Sequence, residues 1–199
     1  MLIKRLLLLA AALIAQPAFA EQTELSLFTG YRVGGEFDNA STDSKVELDE
    51  SNSLGLILSR SYGKQHMMEF LYSKQSTYLR DQSAPAVKLL NLDVEYFQVG
   101  GNRIWRSQDM DSFFGADIGA IHLSPSSSSF SSTTRLSMSF AGGAVFNFTK
   151  NLGLRLELRA YFATLGNSRT FCDSNNQCVV VGDGFMRQVD LNAGLRFRF

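Results

Sequence analysis

Four groups of side chains in this sequence have the types and spacing that chemistry uses. Cys172 and Cys178 are its two cysteines, separated by Asp173-Ser174-Asn175-Asn176-Gln177. In an exported chain two such neighbours form a disulfide, and closing so short a loop stabilises by roughly 2 kcal/mol in the chain-entropy picture. A metal centre usually takes about four ligands, and no third cysteine or nearby histidine supplies them. His122-Leu123-Ser124 sets a base two positions from a hydroxyl, as in nucleophilic catalysis. That chemistry also needs an acid to orient the imidazole, and no Asp or Glu lies between Asp117 and Glu157. The carboxylates Asp93, Glu95 and Asp117 have the form of acid–base groups, but mutual ion pairing is the commoner use of such charges. Finally, Arg155, Glu157 and Arg159 alternate with leucines in one run. The other histidine, His66, falls beside a short turn, where a solvated role is expected.

The elements that must position these groups are strands. Period-two alternation, the mark of a strand with two different faces, recurs in about eight segments. They cover roughly 24–33, 46–59, 66–79, a fourth beginning near 89, 113–123, 134–148, 152–163 and 185–199. In the seventh, Leu152, Leu154, Leu156, Leu158, Ala160 and Phe162 oppose Gly153, Arg155, Glu157, Arg159, Tyr161 and Ala163. In the fourth, Leu90, Leu92, Val94 and Tyr96 oppose Asn91, Asp93 and Glu95, with a parity slip expected at Gly100-Gly101, a bulge or a close-approach site. The connections alternate in length. Long ones fall near 34–45, 80–88, 124–133 and 165–184, and short ones near 60–65, 106–111 and 149–151. The third long connection is serine-rich and reads as a surface loop.

Energy decides which face meets which medium. On the lipid side of a barrel an arginine at the midplane costs about 2–4 kcal/mol, so the leucine face of the seventh strand must look outward. The polar face then lines the interior. The expected interior network comprises Glu69, Asp93, Glu95, Asp117, Arg135, Arg155, Glu157, Arg159, Asp190 and Arg196, with Glu24, Arg32 and Arg198 beside it. Eight strands enclose a space just wide enough for side chains to fill, so these groups should pair and close the lumen. In a soluble β-sandwich the faces would be reversed. Against that stand the length of the greasy faces and the aromatics near strand ends: Tyr31, Tyr78, Trp105, Phe113, Phe148, Phe162, Phe197 and Phe199.

Both ends of the chain agree. Lys4 and Arg5, an apolar run of about ten residues, Pro17 and Ala18-Phe19-Ala20 make a secretory signal, with cleavage expected between Ala20 and Glu21. Residues 1–20 are then a leader, and 21–199 the folded domain. The leader falls short of the roughly 20 residues of a membrane-spanning helix, and no other apolar run approaches that length. Nineteen basic residues balance nineteen acidic ones, so no basic excess points to nucleic acid.

The signal peptide, the strand alternation and the terminal Leu195-Arg196-Phe197-Arg198-Phe199 resemble the small OmpA/OmpX-type eight-stranded outer-membrane barrels. That resemblance implies an all-β, eight-stranded antiparallel up-and-down transmembrane barrel of a Gram-negative outer membrane. It implies outer-membrane lipid, lipopolysaccharide and the barrel-assembly machinery as partners, with Phe197 and Phe199 in the assembly signal, and a monomer without metal or cofactor. The function expected is structural, adhesive or surface-directed and non-enzymatic. The alternatives are a narrow solute pore and a lipid A-modifying enzyme. His122-Leu123-Ser124 is similar to the His-x-Ser of outer-membrane lipid A deacylases, but the Asn- and Glu-bearing continuation of that family is missing.

Overall fold

The computed structural model describes residues 22–38, 45–81, 88–125, 132–164, 169–172, 178–181 and 185–199. The expected leader and its cleavage site, and most of the serine-rich connection, lie outside them. The described residues form twelve strands: β1 (Thr23–Gly34), β2 (Glu36–Asp38), β3 (Lys45–Leu48), β4 (Ser51–Ser61), β5 (His66–Asp81), β6 (Lys88–Trp105), β7 (Met110–Pro125), β8 (Thr133–Asn147), β9 (Leu152–Thr164), β10 (Arg169–Cys172), β11 (Cys178–Val181) and β12 (Phe185–Arg198). Eight of them close into a barrel. β1 pairs with β4, then β5, β6, β7, β8, β9 and β12 follow, and β12 returns to β1, every pair antiparallel. Closure removes the sheet edges, which is what allows a strand protein to stand in hydrocarbon.

The ring is sealed where the chain ends. The Phe199 N–H donates to the Thr23 carbonyl at 3.0 Å, and the Thr23 N–H returns to Phe199 at 3.2 Å. The connections β4–β5, β6–β7 and β8–β9 are short and lie at this end. Backbone bonds fasten them, such as Tyr62 N–H to the His66 carbonyl at 2.9 Å and Asn147 N–H to the Asp109 carbonyl at 2.9 Å. At the other end the strands are longer and carry additions. β2 and β3 form a hairpin whose second arm extends β5, and β10 pairs with β11, setting Cys172 opposite Cys178 in the backbone register.

Several boundaries differ from the sequence reading. The expected strand 46–59 is two strands, interrupted at Asp49-Glu50, so that β3 pairs with β5 while β4 pairs with both β1 and β5. Part of the first long connection is itself strand (β2). The expected parity slip at Gly100-Gly101 does not occur. Both glycines keep register, opposite Glu69 and Met68, and the one irregularity of the β5–β6 pair lies between Leu79 and Arg80.

Candidate functional site

The continuous register of β6 sorts the side chains into two surfaces. Outward lie Leu27, Leu54, Leu58, Met68, Phe70, Phe97, Val99, Ile118, Met138, Phe140, Leu156, Leu158, Leu191 and Leu195, all exposed. Inward lie the buried charges Glu24, Arg32, Glu69, Asp111, Asp117, Arg155, Glu157, Arg159, Asp190 and Arg196. The outward face carries no charge between Arg60 and Asn52 on β4, between His66 and Lys74 on β5, or between Arg103 and Glu95 on β6. These spans match the roughly 9–11 residues with which a tilted strand crosses a bilayer.

Within that band the lumen holds ion pairs in tiers. In the central tier Arg159 donates to Glu69 at 2.5 Å, to Glu157 at 2.7 Å and to Asp117. Arg155 binds Glu157 at 2.5 Å and Glu69 at 3.2 Å, and its guanidinium lies 4.1 Å from the ring centre of Phe113. Phe113 is thus a lumen residue, not a member of an outer aromatic girdle; its parity on β7 is that of Asp117. Three carboxylates and two guanidiniums meet here, joined to Asn102, Ser139 and Gln98 by further hydrogen bonds. Charges buried this completely persist only when paired and hydrogen-bonded.

Nearer the long-loop end, Arg32 binds Asp190 at 2.7 Å, and Ser53 donates to the same carboxylate at 2.9 Å. The Arg32 guanidinium also lies 5.1 Å and 4.7 Å from the rings of Tyr96 and Tyr161, which stack on each other at 4.1 Å. Tyr96 donates to Gln188 at 2.8 Å, and Gln188 to Gln75 at 3.1 Å. At the short-turn end Arg198 bridges Glu24 at 2.7 Å and Asp111 at 2.9 Å, with Arg196 beside it, bonded to Asn147 and 3.5 Å from Glu24.

Two of the expected network residues lie elsewhere. Asp93 and Glu95 face outward, where Lys74 on β5 reaches them at 2.7 Å and 3.7 Å and the Tyr72 hydroxyl donates to Glu95 at 2.9 Å. The Lys74 hydrogen bond holds the Asp93 carboxyl below the ordinary carboxylate range. The residues assigned to lipid in this strand, Leu92, Val94 and Tyr96, are buried inside instead. They join Ile121, Leu123, Met186, Leu48 and Leu79 in an apolar plug toward the long-loop mouth. The reason is position along the strand. Lipid dictates the outward face only within the hydrocarbon; above it the barrel follows the soluble rule, apolar inward and charged outward. Arg135 keeps lumen parity but is only half-buried, and it joins no ion pair among the described residues.

The expected charge network names none of the lumen's tyrosines and amides. Tyr161, Gln188 and Asn192 sat on the charged face of their strands and were legible there; Tyr96 was hidden by the apolar company of Leu92 and Val94. The His122–Ser124 pair is not assembled for nucleophilic attack. His122 Nδ1 faces the Thr134 hydroxyl at 2.9 Å, and no hydrogen bond joins it to Ser124 among the described residues. The register does place an acid, Glu95, opposite His122, yet that carboxylate is bound to Tyr72 and Lys74. No group of three or more His, Cys, Asp or Glu able to hold a metal occurs among the described residues.

The family described as the outer membrane protein beta-barrel domain matches residues 6–199, and the chain belongs to it. Its fold is similar to that of OprG from Pseudomonas aeruginosa (TM-score 0.62, 10% identity, 90% of this chain and 95% of that one). It is also similar to Neisserial surface protein A (TM-score 0.58, 12% identity, 92% and 100%) and to the N-terminal β-barrel domain of OprF from Pseudomonas aeruginosa (TM-score 0.52, 10% identity, 89% and 97%). At such identities the likeness is one of fold. No curated protein matches the chain. The leucine faces therefore stand in the lipid of a Gram-negative outer membrane.

Proposed function

We propose that this outer-membrane barrel is a non-enzymatic surface protein: a closed anchor that presents its long loops outside the cell. The observation that carries the reading is the lumen. A ladder of guanidinium–carboxylate pairs runs from Arg198 through Arg159 to Arg32 and is capped by an apolar plug, so the interior is occupied by the protein itself. What remains free to meet a partner is the long-loop end. Outer-membrane barrels put long loops outside and short turns in the periplasm. By that rule both ends of the mature barrel, including Phe197 and Phe199, face the periplasm, where the assembly machinery would read them.

On this reading residues 1–20 are removed between Ala20 and Glu21, and the mature domain 21–199 works as a monomer among lipid and lipopolysaccharide. Cys172 and Cys178, opposed in the β10–β11 hairpin, form a disulfide that braces the largest loop. The test is adherence to cultured host cells by bacteria carrying either the intact protein or a version lacking residues 126–131 and 169–181. Adherence should be lost with the loops while the barrel still migrates as a folded band. Equal adherence contradicts the role, and an altered lipid A acyl pattern in cells overproducing the intact protein would favour an enzyme instead.

A further inference from the structure

We propose that the β4–β5 turn and the adjoining end of β6 form a headgroup site for an anionic phospholipid on the outer wall of the barrel. The inference rests on the orientation proposed above, which sets the short-turn rim in the phospholipid leaflet. Four outward side chains converge there. Tyr62 and His66 stack with ring centroids 5.6 Å apart. His66 lies opposite Arg103 in the β5–β6 register. The Arg103 guanidinium in turn lies 5.5 Å from the ring centre of Trp105. The turn is fixed against both strands, since Tyr62 N–H donates to the His66 carbonyl at 2.9 Å and Ile104 N–H to Gln65 at 2.8 Å. Gly63 allows the reversal with φ of 78°.

Between these groups Gly101 faces outward with no side chain, and the Tyr62 hydroxyl stands 3.8 Å from where its Cβ would be. The Tyr62 phenol thus lies over the glycine, where a Cβ would also meet the Met67 carbonyl at 3.2 Å, and Arg103 follows two positions along β6. Beyond it the apolar band begins at once, with Met68 on β5 and Val99 on β6, both exposed. An acyl chain can lie along that band while its phosphate meets Arg103. Indole and phenol rings at this depth suit the headgroup boundary.

Charge selects the headgroup. The stretches 60–68 and 101–106 hold Arg60, Lys64, Arg103 and Arg106 and no acidic residue. Arg106 turns inward to Ser61 at 3.2 Å, whereas Arg103 and Lys64 are exposed and form no ion pair among the described residues. A zwitterionic lipid would bring an ammonium with no carboxylate to receive it. A phosphatidylglycerol brings a net negative charge with no ammonium, which the Arg103 cation meets at the headgroup boundary.

Trp105 is the single tryptophan of the chain, so its fluorescence reports on this site alone. The mature protein would be folded into phosphatidylcholine bilayers containing lipids with brominated chains. Brominated phosphatidylglycerol should quench Trp105 with an apparent affinity about fivefold above brominated phosphatidylcholine, the effect of one interfacial cation. Brominated phosphatidylethanolamine should behave like phosphatidylcholine, and 1 M salt should abolish the preference. Arg103→Ala should bring the ratio close to one, and Arg103→Lys should keep most of it. Lys64→Glu, at an exposed turn position, lowers it if Arg103→Ala does not fold. Equal quenching by the two lipids, or an unchanged ratio in Arg103→Ala, overturns the site. Both leaflets are alike in these bilayers, so the result does not depend on how the barrel faces in the cell. A reversed orientation would show separately, as labelling of Lys64 on intact bacteria.

Discussion

Arg159 is fully buried and touches three carboxylates from three other places in the wall, Glu69 on β5, Asp117 on β7 and Glu157 on its own strand. Removing it leaves those charges inside a closed cylinder with Arg155 as their one remaining guanidinium among the described residues. Breaking a buried ion pair from one side costs about 3–5 kcal/mol. Arg159→Met should therefore lower the stability of the folded barrel by that amount, measured by reversible urea unfolding in bilayers. The contrast is Lys74→Ala. Lys74 also contacts two carboxylates, but it is half-exposed at the outer wall, and such pairs contribute about 0–1 kcal/mol. Equal losses in the two variants would mean that the lumen is wet and the tiers carry little. The residues of the central tier were legible because Arg155, Glu157 and Arg159 alternate with leucines that have only one place to go. Phe113 was not, because an aromatic near a strand end suits a girdle as well as it suits the face of an arginine.

β6 changes its allegiance along its length. Toward Trp105 it obeys the bilayer, with Phe97 and Val99 outward and Gln98 and Asn102 inward. Toward Lys88 it obeys water, with Asp93 and Glu95 outward and Leu92 and Val94 inward. Sequence alternation has the same period in both regimes, so the lipid rule applied along the whole strand requires a slip where the two meet. Gly100-Gly101 offered itself, and glycines do mark bulges. Here Gly100 serves close approach instead, since a Cβ would run into the Ala116 carbonyl and the Asp117 carboxylate. What the sequence lacks is the height at which hydrocarbon ends. The corresponding prediction places one substitution on each side of that height. Leu158→Arg, outward at the middle of β9, should cost about 2–4 kcal/mol in bilayer-folded protein. Asn91→Arg, outward on β6 beyond Asp93, should change stability by no more than about 0.5 kcal/mol, as surface substitutions do. A comparable penalty at Asn91 would put that stretch in lipid as well, and the change of regime along β6 would fall.

At the scale of the molecule, the eight-stranded closure, the antiparallel order and the alternation of short turns with long connections were all readable from the sequence, because a membrane tolerates strands only in a closed ring. The four short strands at the long-loop end were less so. They lie where hydrophobic patterning is weak: β2–β3 and β10–β11 are local hairpins, and β3 also pairs with the far end of β5, Val46 opposite Asp81. The proposed role as an anchor rests on the filled lumen. Tiers around Arg198, Arg159 and Arg32, with Leu92, Val94, Ile121 and Met186 above them, occupy the interior among the described residues, and on the reading proposed above they bar ions from crossing. Planar-bilayer recording of the purified, folded protein in concentrated potassium chloride tests this most directly. Inserted barrels should hold the current at the baseline of the bare membrane, without discrete steps. Stable, reproducible unitary openings from the unmodified protein would show that ions pass between the tiers, and the sealed-lumen reading would fall.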